Sequence, residues 1–374
     1  MVEVLQRAAF SDTVHILRGD GVAMLAAVCH GQKDLRIEQV EDRRLAAGEV
    51  RVGVAYGGIC GSDLHYFHRG AVGNYAVREP MTLGHEISGV ILEVGAGISD
   101  LRPGMKAALD PSRPCLTCEF CRAGRRNLCT NMLFLGSAGR FPHVQGGFAQ
   151  HLVLRHDQVI PVPEDTDLLR LSVAEPLSVG LHAVKCAGAV AGKKVLVSGS
   201  GPIGLLTARS ARYAGAEEVV STDVEDAPLV VARAHMGASH TINVASTSEA
   251  LHEYESEGGY FDVAFEASGS PSALASLFKV IRRGGRIVQV GMLPPGETSI
   301  PVSTLQTREI EFVGAFRAND EFRTAVNLIV SGAIDVRPIL SGTYPLAEAV
   351  KALELAGDRS KVVKLHLALN DKFR

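Results

Sequence analysis

The chain has 374 residues, 46% of them hydrophobic and 21% charged, with a formal net charge of −3. That length exceeds what one hydrophobic core usually serves, so two domains are expected. The small net charge excludes a bulk attraction to nucleic acid or to an acidic membrane, and no apolar run approaches the roughly 18 residues of a bilayer span.

Residues 1–23 show no element pattern and read as an N-terminal extension. They lack the basic segment followed by an apolar one that marks a secretory signal, so a soluble, cytoplasmic protein is expected. From Met24 the first half is rich in Gly and in short β-type runs, such as 50–56, 87–94 and 148–154. Turn signals at Arg102-Pro103-Gly104 and Gly146-Gly147 break these up, which predicts a twisted, mostly antiparallel β region. The pattern changes near Gly192. Strands are expected at 194–198, 218–222, 240–243, 261–266, 286–290 and 310–313, with helices between them, including one over 246–257. This alternation predicts βαβ units and a doubly wound parallel sheet. Helices at 320–331 and 346–356 and a strand at 361–368 follow, and this tail is assigned back to the first domain.

Within the β-rich half, Cys115, Cys118, Cys121 and Cys129 follow a C-x2-C-x2-C-x7-C spacing. Thiolates this close suit a tetrahedral, closed, structural Zn2+. Disulfides fit poorly with a thiol-poor chain lacking an export signal. The usual iron–sulfur run places a proline after its last Cys, whereas Thr130 follows Cys129.

Gly199-Ser200-Gly201-Pro202-Ile203-Gly204 fits G-x-G-x-x-G directly after a predicted strand and at the start of a helix. Gly199 serves the turn, Gly201 lets a pyrophosphate approach, and Gly204 permits close helix–sheet packing. Pro202 suits the first helical turn. Asp223 ends the next strand, roughly 20 residues on, where a carboxylate can accept from ribose hydroxyls. No basic residue lies among 224–228, so NAD is favoured over NADP.

Three further pieces carry ligand types: Gly58-Ile59-Cys60-Gly61-Ser62-Asp63-Leu64-His65, Gly84-His85-Glu86 and Ala174-Glu175-Pro176-Leu177-Ser178. Together with the cysteine lobe and the glycine fingerprint, in this order, they make the chain from Met24 onward resemble the zinc-dependent medium-chain dehydrogenases. The resemblance implies a GroES-like, mostly β catalytic domain over 24–178, with the structural zinc lobe at about 110–130. It implies a Rossmann domain over 179–315 and a return to the catalytic domain over 316–374. It implies a second, catalytic Zn2+ held by Cys60 and His85 with Glu86 as carboxylate ligand, hence two Zn2+ per chain. Glu175 stands where many alcohol dehydrogenases have a second Cys; this is similar to the sorbitol dehydrogenase-like polyol branch, in which the carboxylate lies beside the metal or its water. Ser62 and His65 stand at proton-relay positions, and Asp63 at one that supports the ligands from behind. The family is usually dimeric or tetrameric, so a homo-oligomer is expected.

The substrate is narrowed by resemblance as well. Tyr66 and the Arg317 of Gly314-Ala315-Phe316-Arg317 stand at polyol-pocket positions. The loop 135–148, with Gly136-Ser137-Ala138 and Phe141-Pro142-His143-Val144, is similar to that of the L-idonate 5-dehydrogenases. An aldonate brings a carboxylate, for which His143, Arg140 and Arg317 are the candidate partners. The expected reaction is oxidation of a secondary hydroxyl of a sugar acid or polyol, L-idonate foremost, with hydride passing to NAD. Sorbitol, xylitol, a vicinal diol and L-threonine are the alternative substrates. A non-catalytic zinc protein is the alternative of another class, and the complete Cys60, His85, Glu86, Ser62 and His65 set argues against it.

Overall fold

The computed structural model describes residues 23–373; the expected extension at 1–23 otherwise lies outside the described residues. One large sheet runs, in spatial order, Val159–Pro161, Lys106–Leu109, Glu86–Val94, Glu49–Gly58, Lys364–Ala368 and Leu340–Pro345, with His151–Arg155 also paired to Glu49–Gly58. Every pairing is antiparallel except the last, between Leu340–Pro345 and Lys364–Ala368. Glu49–Gly58 is the hub. Its Val50, Val52 and Val54 recur at the two-residue period of a strand and bury on one face with Ile87, Leu109, Phe148 and Leu367. Ala55 belongs to a separate core that holds Leu171 and Leu177.

The second large sheet has six strands: Lys194–Ser198, Glu218–Asp223, His240–Asn243, Phe261–Glu266, Ile281–Gln289 and Glu311–Gly314. Numbered along the chain, they lie in the order 3-2-1-4-5-6 and all pair in parallel. This is the doubly wound arrangement expected, with a crevice where the order reverses between the first and fourth strands. The first strand, KVLVS, lacks a polar face because both faces are covered. Val195 and Val197 pack against Ala183, Ala208 and Ala211 on one side. Leu196 packs against Leu274, Leu277 and Phe278 on the other.

The expected helix over 246–257 is instead two 3-10 segments, Ser248–Tyr254 and Ser256–Gly258. The preceding turn takes the local alternative that Ser and Thr offer the backbone: Thr247 Oγ1 donates to Asn243 O (2.7 Å). Glu257 then enters the left-handed region (φ 55°) ahead of Gly258, which ends any helix there. No helix among the described residues is long and apolar enough to cross a membrane.

Leu196 is fully buried between two layers. Leu196→Ala should therefore cost about 2–5 kcal/mol, read as a lower denaturant midpoint in chemical unfolding.

Candidate active site

The strand register assembles the first cluster. Gly58 pairs with Glu86, and His366 of the last strand pairs with Gly58 from the other side. Cys60 follows the hub strand as the N-cap of helix Gly61–Arg69, and His85 immediately precedes strand Glu86–Val94. Cys60 Sγ, a ring nitrogen of His85 and a carboxylate oxygen of Glu86 consequently lie within 4.8 Å of one another. Asp63, fully buried in the first turn of the helix, ties the two turns together. Its Oδ2 accepts from Cys60 N (2.9 Å) and its Oδ1 from Gly84 N (3.0 Å).

This cluster fits a divalent cation. His85 Nδ1 is buried without a hydrogen bond among the described residues, a cost that a bound ion would remove, while Lys364 Nζ meets both Glu86 oxygens. Burial, reinforced by the Glu86 charge, pushes the Cys60 thiol up to about 12; a cation among the three groups would reverse that by favouring the thiolate. One sulfur, one nitrogen and one oxygen form a donor set that suits zinc with a position left open. The second group fits as well. The sulfurs of Cys115, Cys118, Cys121 and Cys129 lie within 4.8 Å of one another. Cys118 N donates to Cys115 Sγ (3.3 Å), while Cys115 N (3.2 Å) and Asn131 N (3.3 Å) donate to Cys129 Sγ. Backbone donors to sulfur support thiolate ligands. Hydrogen bonds from Thr117 and the Cys118 amide hold Cys115 down to about 5.

Glu175 sits in the first turn of helix Ala174–Ala187, buried, but outside the group formed by Cys60, His85 and Glu86. Burial, with Glu86 and Cys60 nearby, pushes its carboxyl up to about 8 despite the opposing pull of His85. It faces a small cavity that it shares with Asp110, Phe134 and Arg317. Arg317 also lines a cleft of about 580 Å³, bordered by Met132, Arg140, Phe141 and Phe316. Its guanidinium lies 3.9 Å from the Phe134 ring centroid and 4.9 Å from that of Phe316, and has no hydrogen bond or ion pair among the described residues. Burial lowers its pKa, while Glu175 acts the other way.

Arg317 holds a left-handed backbone (φ 56°), unfavourable for a residue with a Cβ. Its neighbours impose that conformation. Asn127 Nδ2 donates to Phe316 O (3.1 Å), Arg126 N donates to Asn319 Oδ1 (2.8 Å), and Asn319 Nδ2 donates to Gly124 O (2.6 Å). The cysteine lobe thus clamps the segment from one side. Glu321 clamps it from the other, accepting from Asn319 N (2.7 Å) and Lys185 Nζ (2.7 Å) and lying 3.1 Å from His182 Nδ1.

Ser62 and His65 lie one turn apart on their helix, on one face. His65 is half-buried, and that burial lowers its pKa. The buried Tyr66 hydroxyl accepts from Ala138 N (3.0 Å), so it braces the 135–148 loop. His143 departs from the expectation of a substrate contact. Its Nε2 accepts from Arg78 N (2.9 Å) and its Nδ1 lies 2.7 Å from Arg140 O, so backbone groups occupy both ring nitrogens. Arg140 is likewise committed, donating to Met132 O (3.0 Å) and Thr130 O (2.6 Å).

Some neighbours were not singled out from the sequence. Lys364, also buried, donates to Glu86 Oε1 (2.5 Å) and Ile59 O (2.9 Å). Asp110 is held up to about 6 by burial. A charged residue within the apolar final strand was a usable signal for Lys364; nothing local marked Asp110.

At the crevice of the parallel sheet, Gly199 takes φ 92°, and a Cβ there would meet Ser268 N at 2.6 Å. A Cβ on Gly204 would run into Gly199 O, so neither position admits a side chain. Gly201 is the N-cap and Pro202 the first residue of helix Pro202–Tyr213, with Ile203 next, which leaves that helix end free to face phosphates. Asp223 is buried at the end of its strand, and its Oδ2 accepts from Ser200 N (2.6 Å).

Lowered to about 2, Glu321 reflects hydrogen bonds from His182 and Lys185 that overcome the opposing effect of burial. A depressed carboxyl stabilises the fold above its ordinary value of 4.5, and that contribution is lost as pH falls toward 2. Glu321→Gln should destabilise the protein at neutral pH, with the difference in denaturant midpoint shrinking as the pH is lowered through that window.

Comparison with known proteins agrees with this architecture. Residues 46–164 match the alcohol dehydrogenase GroES-like domain, and residues 202–331 match the zinc-binding dehydrogenase family. L-idonate 5-dehydrogenase (NAD(P)(+)) of Escherichia coli (strain K12) is 40% identical over 84% of this chain and 90% of its own. A sorbitol dehydrogenase of Bacillus subtilis (strain 168) is 35% identical over 89% of this chain and 93% of its own. The crystal structure of the Escherichia coli L-idonate 5-dehydrogenase superposes with a TM-score of 0.88 at 37% identity, covering 93% of this chain and 99% of that one. The chain therefore belongs to the zinc-binding, NAD(P)-dependent alcohol dehydrogenase family, among its polyol dehydrogenases, and is an oxidoreductase acting on small molecules.

Proposed function

We propose that the protein oxidises a secondary hydroxyl of a sugar acid, L-idonate foremost, and passes hydride to NAD in preference to NADP. The observation that carries this reading is the Arg317 guanidinium, which lines the cleft without an ionic partner among the described residues. A planar cation with unused donors suits a substrate carboxylate in two-point contact. The similar relative named for L-idonate adds support; the sorbitol dehydrogenase relative makes a neutral polyol the second reading.

Cys60, His85 and Glu86 would hold the catalytic zinc, with Glu175 beside it, and the four cysteines of the lobe a structural one. When bound, the catalytic ion supplies a Lewis acid that makes the substrate hydroxyl easier to deprotonate. Lys364 neutralises Glu86, so the chain's own negative charge at the site is moderated. Ser62 and His65, stacked on one helical face, carry the hydroxyl proton outward, a task that imidazole performs near neutral pH. Gly199, Gly201, Pro202, Ile203 and Gly204 receive the coenzyme pyrophosphate, and Asp223 receives its adenosine ribose. Arg317 and the aromatic walls at Phe134 and Phe316 orient the substrate, with Tyr66 bracing the loop above. The enzyme works as a dimer or tetramer in the cytoplasm, where free thiols persist.

Coenzyme reduction should be greatest with L-idonate in a panel that also holds D-gluconate, sorbitol, xylitol, a vicinal diol and L-threonine. Arg317→Ala should raise KM for the aldonate at least about tenfold more than for sorbitol, the loss expected of a charge-assisted pair. Equal effects on both would remove the carboxylate from the assignment and leave a neutral polyol. Metal analysis of the purified protein should find two zinc ions per chain, with the lobe ion resisting a chelator until the chain unfolds.

A further inference from the structure

The carboxylate of Asp223 is fully subscribed. Oδ1 accepts from Val224 N (2.7 Å) and Glu225 N (3.1 Å), and Oδ2 from Ser200 N (2.6 Å) and Arg359 Nη2 (2.6 Å). A carboxylate has about four acceptor sites, so a ribose hydroxyl has to displace one of these donors. Three of them are backbone amides fixed by the glycine turn and the strand end. The fourth is the one side chain bonded to Asp223 among the described residues, and it comes from the far end of the chain. Arg359 sits in a turn braced by Asp358, which pairs with Lys361 (2.6 Å) and accepts from Ser360 Oγ (2.6 Å). The Asp223 side chain is 2% exposed, whereas that of Arg359 is 45% exposed and so free to swing. A Cβ on Gly201 would stand 3.7 Å from Arg359 Nη2, so the guanidinium lies beside the turn that phosphates approach.

We propose that Arg359 selects the coenzyme, neutralising Asp223 and offering its guanidinium to the 2′-phosphate of NADP, so that the crevice accepts NADP beside NAD. The inference rests on reading this crevice as the coenzyme site. A bare carboxylate at Asp223 would repel a phosphate monoester, and no basic residue among 224–228 would compensate. The ion pair cancels that repulsion. Once the ribose 3′-hydroxyl takes over Oδ2, the released guanidinium is a planar double donor matched to the 2′-phosphate.

The test is fluorescence titration of the zinc-containing enzyme with NADH and with NADPH, for the wild type and for Arg359→Ala. The ratio of NADPH to NADH affinity should fall at least about tenfold in the variant, in line with loss of a charge-assisted contact. The wild type should also lose NADPH more steeply than NADH as salt rises, and the two slopes should converge in the variant. A ratio unchanged within about twofold, while both coenzymes still bind, overturns the role of Arg359 and leaves the crevice assignment intact. Failure of the wild type to bind either coenzyme overturns the crevice assignment itself. Should the alanine variant fail to fold, Arg359→Gln preserves the side-chain length and the same ratio decides.

Discussion

The reacting centre hangs on a buried exchange of charge between Glu86 and Lys364, made possible because one strand, Glu49–Gly58, is paired on both sides. Gly58 is opposite Glu86 on one flank and His366 on the other. Carboxylate and ammonium thereby meet in a region that water does not reach. A lone charge there would be untenable, and the pair is tolerable only because further groups take up the remaining bonding capacity. Ile59 O accepts a further hydrogen bond from Lys364 Nζ, which also meets both Glu86 oxygens. The register of three strands therefore brings Cys60, His85 and Glu86 together, and slipping any one of them by a residue would turn its side chains to the opposite face.

The two sheets are joined by more than chain continuity. Helix Ala174–Ala187 places Glu175 beside the Cys60, His85 and Glu86 cluster at one end while Ala183 and Ala187 pack on the parallel sheet. The segment after Glu311–Gly314 carries Arg317 and is held by the cysteine lobe through Asn127 and Asn319. The turn at Arg359 reaches the nucleotide crevice five residues before Lys364 reaches the metal cluster. These candidate positions are thus linked by short runs of chain even where they are distant in sequence.

Much of this was legible in the chain because the relevant signals are local. The glycine fingerprint sits at a strand–helix junction, and Gly199 and Gly204 each meet a steric demand that can be stated in advance. Cys60, His85 and Glu86 lie in short motifs that the fold then brings together. The pairing of Lys364 with Glu86, 278 residues apart, had no such local signal, and neither did the contacts of Arg359 or Asn319; only topology makes these residues neighbours. His143 was named as a candidate substrate contact for its type, whereas two backbone groups engage its ring. The 246–257 segment was read as helical within the strand–helix alternation, but Ser and Thr hydroxyls at its entry and a left-handed Glu257 near its end favoured tighter turns.

The left-handed backbone at Arg317 carries an evolutionary implication. A residue with a Cβ gives up roughly 1–2 kcal/mol in that conformation, and glycine gives up almost none. A descendant that exchanged Arg317 for glycine would shed the guanidinium and relieve the backbone in the same step. That exchange is favourable for the backbone, while it costs the stacking of the guanidinium on Phe134 and Phe316.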